Sequence, residues 1–267
     1  MKNATTSRLT QIVRAIRLLL HIISGLAQSA IYPHLSQSAQ RRMAQSWSAI
    51  LLKILRIRLR YSGVMPAAEE RRVMLAANHV SWLDVYSLNA ACPARFVAKS
   101  EIRGWPLLGW LSRNAGTLFI ERAKRSDTAR INTDIGNVLM MGDRIAVFPE
   151  GTTSDGTMLR HFHASLLQPA VTVAAILCPV AIRYTDATGM ISKAAAFTNI
   201  SMLESLRQIL REPWINVELI FTDPIHSDGK NRRELARYAE HAIASALFLP
   251  LPHKTPGRPF DLPAEPQ

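Results

Sequence analysis

Short apolar runs separated by helical patterns constrain this chain more than any other feature. Six of them, residues 73–77, 95–98, 117–120, 144–148, 177–183 and 215–221, are too brief for ordinary helices and read as strands. A seventh precedes them: Leu55, Ile57, Leu59 and Tyr61 alternate with Arg56, Arg58 and Arg60, which predicts a half-buried strand stopped by the Ser62-Gly63 turn. Helical spacing fills the intervals over 83–91, 127–141, 164–173, 201–210 and 232–247. Strands alternating with helices demand an α/β fold, a mixed and largely parallel sheet flanked by helices. With 267 residues, a single such domain can bury a full core.

Two amphipathic segments precede residue 55. In the first, Arg14, Arg17, His21, Ser24 and Gln28 fall on one helical stripe, while Ile12, Ile16, Leu19, Ile23 and Leu26 cover the remainder. The charges interrupt what would otherwise be a spanning run of about 20 apolar residues. A helix lying in a membrane interface is the expectation, its basic residues toward the headgroups. The second segment sets Arg42, Ser46, Lys53 and Arg56 against Met43, Trp47, Ile50, Leu51 and Ile54. A helix pair packed on the protein's own core would have the same periodicity, so both readings stay open. A secretory signal fits less well, because Arg14 and Arg17 sit inside the apolar run and no small-residue cleavage site follows. The expected organisation is therefore an amphipathic pair over 1–54, an α/β domain over 55–249, and an unstructured tail over 250–267 that carries six prolines.

The formal charge of +12 calls for polyanionic partners: nucleic acid, an anionic bilayer or phosphorylated substrates. No finger, basic zipper or aromatic-rich RNA motif accompanies it, which argues against nucleic acid. Cys92 and Cys178 each precede a proline in an apolar stretch, a pattern that fits a reducing compartment. His161 and His163 lack a third ligand nearby, so no metal is expected. A serine hydrolase elbow, Gly-x-Ser-x-Gly, is missing as well.

The chemistry concentrates where three strands end, which is where open α/β sheets build sites. Strand 73–77 runs into Asn78-His79-Val80-Ser81-Trp82-Leu83-Asp84. A neutral imidazole can take a proton from a hydroxyl near neutral pH, and a carboxylate would fix its tautomer. His79 and Asp84 can meet only if His79 precedes the helix and Asp84 folds back from its first turn. Ser81-Trp82-Leu83-Asp84 also fits a capping box, in which Asp84 serves the backbone and His79 is an ordinary loop residue. Strand 117–120 ends in Glu121-Arg122, and a guanidinium fork suits a phosphate. Strand 144–148 breaks into Pro149-Glu150-Gly151-Thr152-Thr153-Ser154, where glycine permits close backbone approach and hydroxyls can hold oxygens.

In order and spacing, Asn78-His79-x-x-Trp82-x-Asp84, Gly116-x-x-Phe119-Ile120-Glu121-Arg122, Phe148-Pro149-Glu150-Gly151-Thr152 and Pro179-Val180-Ala181-Ile182 resemble the glycerolipid acyltransferase superfamily, within it the bacterial 1-acyl-glycerol-3-phosphate acyltransferases. The resemblance implies transfer of a fatty acyl group from acyl-CoA or acyl carrier protein to the free sn-2 hydroxyl of a lysophospholipid acceptor, 1-acyl-glycerol-3-phosphate, forming phosphatidate in phospholipid biosynthesis without a resident cofactor. It implies His79 as general base and Asp84 as its orienting partner, with Asn78, Lys99, Arg122, Glu150, Gly151 and Thr152 around the substrate. It also implies anionic membrane lipids as partners and a place on the cytoplasmic face of a bacterial inner membrane. Two departures stand out: Thr153 follows Glu-Gly-Thr where arginine is commoner, and His163-Ala164-Ser165 replaces a Lys-Gly pair. Both remove a cation, and a related branch that resembles this chain acylates lyso-ornithine lipid, whose headgroup is an amino acid. A basic membrane-binding module without activity is the alternative outside enzymology.

Overall fold

The computed structural model describes residues 6–105, 108–121 and 125–252. In chain order the elements are α1 (Arg8–Ile31), α2 (Gln37–Ile54), β1 (Ile57–Gly63), β2 (Val73–Ala77), α3 (Leu83–Ala91), β3 (Arg95–Lys99), α4 (Leu108–Asn114) and β4 (Leu118–Ile120). They continue through α5 (Arg125–Met140), β5 (Ile145–Val147), α6 (Gln168–Thr172), β6 (Ile176–Thr185), α7 (Met202–Arg211), β7 (Ile215–Phe221), β8 (Ile225–His226) and α8 (Arg232–Leu247). Every strand expected from sequence is present. Short α4 and β8 add to them, since neither is long enough to leave a periodic signal.

The sheet runs β1-β7-β6-β2-β5-β3-β4, with β8 paired to β6. Strands β6, β2, β5, β3 and β4 are mutually parallel, while β7 runs antiparallel to β6 and carries β1 parallel to itself. The expected mixed, largely parallel sheet is the one observed. Its central strand β2 is buried along its whole length, as a strand covered on both faces must be. Val73, Leu75 and Ala77 enter the core beneath α2, α3 and α7, whereas Met74 and Ala76 enter the opposite one beneath α5, α6 and α8. The result is three layers, helices on both sides of one sheet.

The N-terminal helices correct the expected orientation. On α1 the buried residues are Arg14, Leu18, His21, Gly25 and Ser29, while Leu9, Ile12, Ile16, Leu19, Leu20 and Ile23 are exposed. The polar stripe therefore faces the protein and the apolar face points outward. Arg14 explains the inversion: its guanidinium donates to the carbonyls of Ile209, Leu210 and Glu212 at the end of α7 and to that of Leu55 at the end of α2. Carbonyls in the last turn of a helix point outward with spare acceptor capacity and attract a cation, even where, as at Ile209 and Leu210, the Glu212 N–H and the Thr6 hydroxyl also donate to them. His21 stacks on Trp47 of α2 with ring centroids 4.4 Å apart, and burial pushes its imidazole below the usual value. Of the expected headgroup-facing cations of this stripe, Arg17 alone is exposed. Leu51, Leu52 and Ile54 of α2 lie in the same core as β2 and β6, so residue 54 is not a seam in the packing. Arg122 and, from residue 253 on, the expected tail lie outside the described residues.

Candidate active site

Strand β2 delivers Asn78 and His79 beyond its carboxyl end. Asn78 spans to β6, its amide donating to the Ile182 carbonyl and accepting from the Ile182 N–H at 2.9 and 2.7 Å. In this way it adds one more rung after the last β2–β6 pair, Ala77 with Val180. With both ends of the amide on main chain, Asn78 faces β6 rather than the space above the sheet.

His79 Nδ1 lies 2.8 Å from Asp84 Oδ2, and the Asp84 side chain is wholly buried. The same oxygen accepts the N–H groups of Val80 and Ser81 at 2.8 and 3.0 Å. The two sequence readings of this loop are thus one structure: Asp84 satisfies backbone donors at the start of α3 as a capping residue does, and grips the imidazole as well. The reciprocal half of the box is missing, because Ser81 Oγ is buried without a hydrogen-bond partner. Nδ1 so engaged carries its proton toward the carboxylate, which leaves Nε2 as the ring's free base. The imidazole also stacks on Phe148 at 4.1 Å between centroids, and Phe148 stacks in turn on Phe96.

The loop after β5 holds the His79 main chain from both sides. Glu150 Oε1 accepts the His79 N–H at 2.9 Å, and the Ser154 N–H donates to the His79 carbonyl at 2.8 Å. Gly151 supports this turn with φ of +76°, a conformation open to glycine at little cost. Thr152 is exposed beside it, and Thr153 turns inward to donate its hydroxyl to the Phe197 carbonyl. Both Glu150 oxygens face main-chain donors, the second accepting from the Arg160 N–H at 3.3 Å. Lys99 stands exposed where β3 ends, beside the end of β4 in register.

Glu150 is only 3% exposed, and that burial, joined by the nearby charge of Asp84, raises its carboxyl to about 7 against the opposing bonds from His79 and Arg160. A folded value above the unfolded one, 4.5, means that the folded chain holds the proton more tightly. The corresponding stability is complete below pH about 4.5 and is lost as pH rises toward about 7. Glu150→Gln should remove that loss, flattening the fall in unfolding free energy between pH 5 and 8 by up to roughly 3 kcal/mol. Denaturant titrations of both proteins across that range check it, and identical slopes would show that Glu150 is ionised throughout.

Tyr184 escapes a sequence reading that ends its strand at Arg183. Two residues beyond Ile182 on β6, it belongs to the face that looks toward α3, so strand alternation carries the signal. It is fully buried near Asp84, with its hydroxyl 3.3 Å from Ser87 Oγ; burial first, then the Asp84 charge, pushes the phenol well above its ordinary value. An apolar cavity of about 150 Å³ opens nearby between α1, α2, α3 and α4. Gly25, Met43, Trp47, Tyr86, Phe96 and Leu111 are among the residues lining it, and Phe96 ties it to the Phe148–His79 stack.

Residues 58–183 match the Acyltransferase family. A lyso-ornithine lipid O-acyltransferase of Pseudomonas aeruginosa is 37% identical over 251 residues, 91% of this chain and 95% of its own. The chain belongs to the acyltransferase family. A lyso-ornithine lipid O-acyltransferase of Brucella abortus is 32% identical across 81% of this chain and 86% of its own. A 1-acyl-sn-glycerol-3-phosphate acyltransferase of Neisseria gonorrhoeae is 38% identical across 58% and 62%. The 1-acyl-sn-glycerophosphate acyltransferase PlsC of Thermotoga maritima has the same fold, with a TM-score of 0.62 at 21% identity over 88% of this chain and 96% of that one. This acyltransferase is thus an O-acyltransferase of the lysophospholipid type. With α1 long and apolar enough to cross a membrane, it is a membrane-associated member of its family.

Proposed function

We propose that this acyltransferase moves a fatty acyl group from acyl-CoA or acyl carrier protein to the free hydroxyl of lyso-ornithine lipid. Thr153 carries the proposal. At the position where the commoner family pattern has arginine, its hydroxyl is turned in to the Phe197 carbonyl, so that position offers no cation to a phosphate. Two residues on, Asp155 is exposed on the same loop, its carboxyl held below the usual range by the hydroxyl and N–H of Thr157. The neighbouring Gly156 borders the His79 loop, 3.7 Å from Val80 at its Cβ position. A carboxylate there suits an amine-bearing headgroup. The relatives from Pseudomonas and Brucella, similar over most of their length, bear the corresponding name. Lysophosphatidate is the second reading, favoured by the Neisseria relative and by Lys99 as an anion contact where β3 ends, with Arg122, expected from sequence in the same role, outside the described residues.

In the proposed mechanism, His79 Nε2 takes the proton of the acceptor hydroxyl as its oxygen bonds to the thioester carbonyl carbon. The C–S bond then breaks, and the imidazolium returns the proton to the departing thiolate. Asp84 stabilises the transient positive ring, and the apolar cavity receives the acyl chain. Holding both substrates in line contributes about 7–11 kcal/mol, as much as the base itself.

The experiment supplies purified protein with a labelled acyl thioester and either lyso-ornithine lipid or lysophosphatidate. A kcat/KM at least roughly tenfold higher for lyso-ornithine lipid is expected. The reverse preference would overturn the proposal. Thr153→Arg should lower the first activity and leave the second equal or raised.

A further inference from the structure

The free edge of the sheet carries a second groove, of about 520 Å³, between the end of α2 and the start of β1. Leu52, Ile57 and Pro213 give it apolar walls, and Lys53, Arg56 and Arg58 give it three cations. Among the described residues none of the three forms an ion pair. Arg58 instead lies over the Trp214 ring, 4.1 Å from its centroid, which fixes its donor fork without neutralising it.

Arg56 adds an observation of another kind. It adopts φ of +55° directly after the α2 cap, where glycine is the residue that fits without strain. Its charge also lies close enough to Arg14 to lower the Arg14 guanidinium. An anion beside Arg56 would offset the repulsion between the two guanidinium groups.

Location selects the anion. Arg14 binds the Leu55 carbonyl, so the groove begins at the foot of α1, whose outer face exposes Ile12, Ile16, Leu19 and Ile23. Strand β1 runs antiparallel to β2 through β7 and β6, which sets its start at the sheet end that bears His79. A ligand here meets cations above apolar walls, next to a surface built for lipid. We propose that the groove binds the phosphate of an anionic phospholipid, with the glycerol and first methylenes against Leu52, Ile57 and Pro213. The inference rests on membrane association and not on which lysolipid is acylated.

The test uses the full-length protein and monomeric dihexanoyl-phosphatidylglycerol, below its micelle concentration, in calorimetric titrations. Saturable binding is expected. The combined variant Arg56→Gly, Arg58→Gln should weaken it about thirtyfold, at roughly fivefold per charge. Arg17→Gln, which removes an exposed α1 cation outside the groove, should leave it unchanged. Glycine at 56 relieves the backbone, so the thermal midpoint should hold or rise, and acyl transfer in neutral detergent should persist; both readouts separate loss of the groove from loss of the fold or of the enzyme. An equal loss in the Arg17 variant would mean diffuse surface charge, and undiminished binding in the double variant would mean another site. Full displacement by equimolar inorganic phosphate would make the ligand a free anion. Each of these three results overturns the proposal.

Discussion

Replacing His79 by alanine is expected to lower turnover about 10²–10⁴-fold, the usual contribution of a positioned general base, while leaving the fold intact. The imidazole side chain is 20% exposed, and its main-chain bonds to Glu150 and Ser154 survive truncation. Asp84→Asn should act on both activity and stability, because one oxygen serves His79, Val80 and Ser81 together. An amide that keeps its oxygen toward the two N–H groups leaves Nδ1 with a weaker partner and the imidazolium without its counter-charge. Its turnover should fall between wild type and His79→Ala, with a lowered thermal midpoint. Circular dichroism and initial rates on the purified variants check this. Near-normal turnover in folded His79→Ala would remove His79 as the base.

The legible parts of this molecule are those that periodicity alone determines. Strand β2 and helix α8 are readable residue by residue, since an apolar run of five and a 3.6-residue stripe opened by a capping box have few other solutions. The His79–Asp84 pair is readable because the motif exceeds what a helix cap requires. Direction is what periodicity does not carry. The spacing of apolar and polar residues separates the two faces of a helix without saying which of them meets the protein, so α1 reads from sequence with its polar stripe outward. For the same reason Asn78 and Glu150 read as substrate contacts: their side chains suit a ligand, and only the fold reveals main-chain partners on β6 and at Arg160. Tyr184 is hidden by the polar residue before it, although it shares a strand face with Ile182.

The inward stripe of α1 leads to the second large effect, at Arg14. Its two terminal nitrogens reach four carbonyl oxygens at 2.6–3.1 Å, from α7, the residue beyond it and the end of α2. Burial, then repulsion from Arg56, lowers the guanidinium to about 10, partly offset by Glu212. It therefore stays charged at neutral pH, and because the folded value lies below the unfolded one, the cost of holding that charge is present throughout the range below pH about 10 and is relieved only above it. Arg14→Leu would strand the Glu212 and Leu55 carbonyls at two helix ends, whereas Ile209 and Leu210 keep the Glu212 N–H and the Thr6 hydroxyl, and each unsatisfied group costs about 1–3 kcal/mol. A loss of at least about 3 kcal/mol is expected, or roughly 6–12 °C in the thermal midpoint. Arg14→Lys should recover only part of it, because a single ammonium cannot span both helix ends as the planar fork does. The exposed apolar face of α1 is untouched by either change, so sedimentation with lipid vesicles should persist while scanning calorimetry registers the loss. A midpoint unchanged in Arg14→Leu would mean that α1 is not docked on α2 and α7 in solution, and the inward orientation of its polar stripe would fall with it.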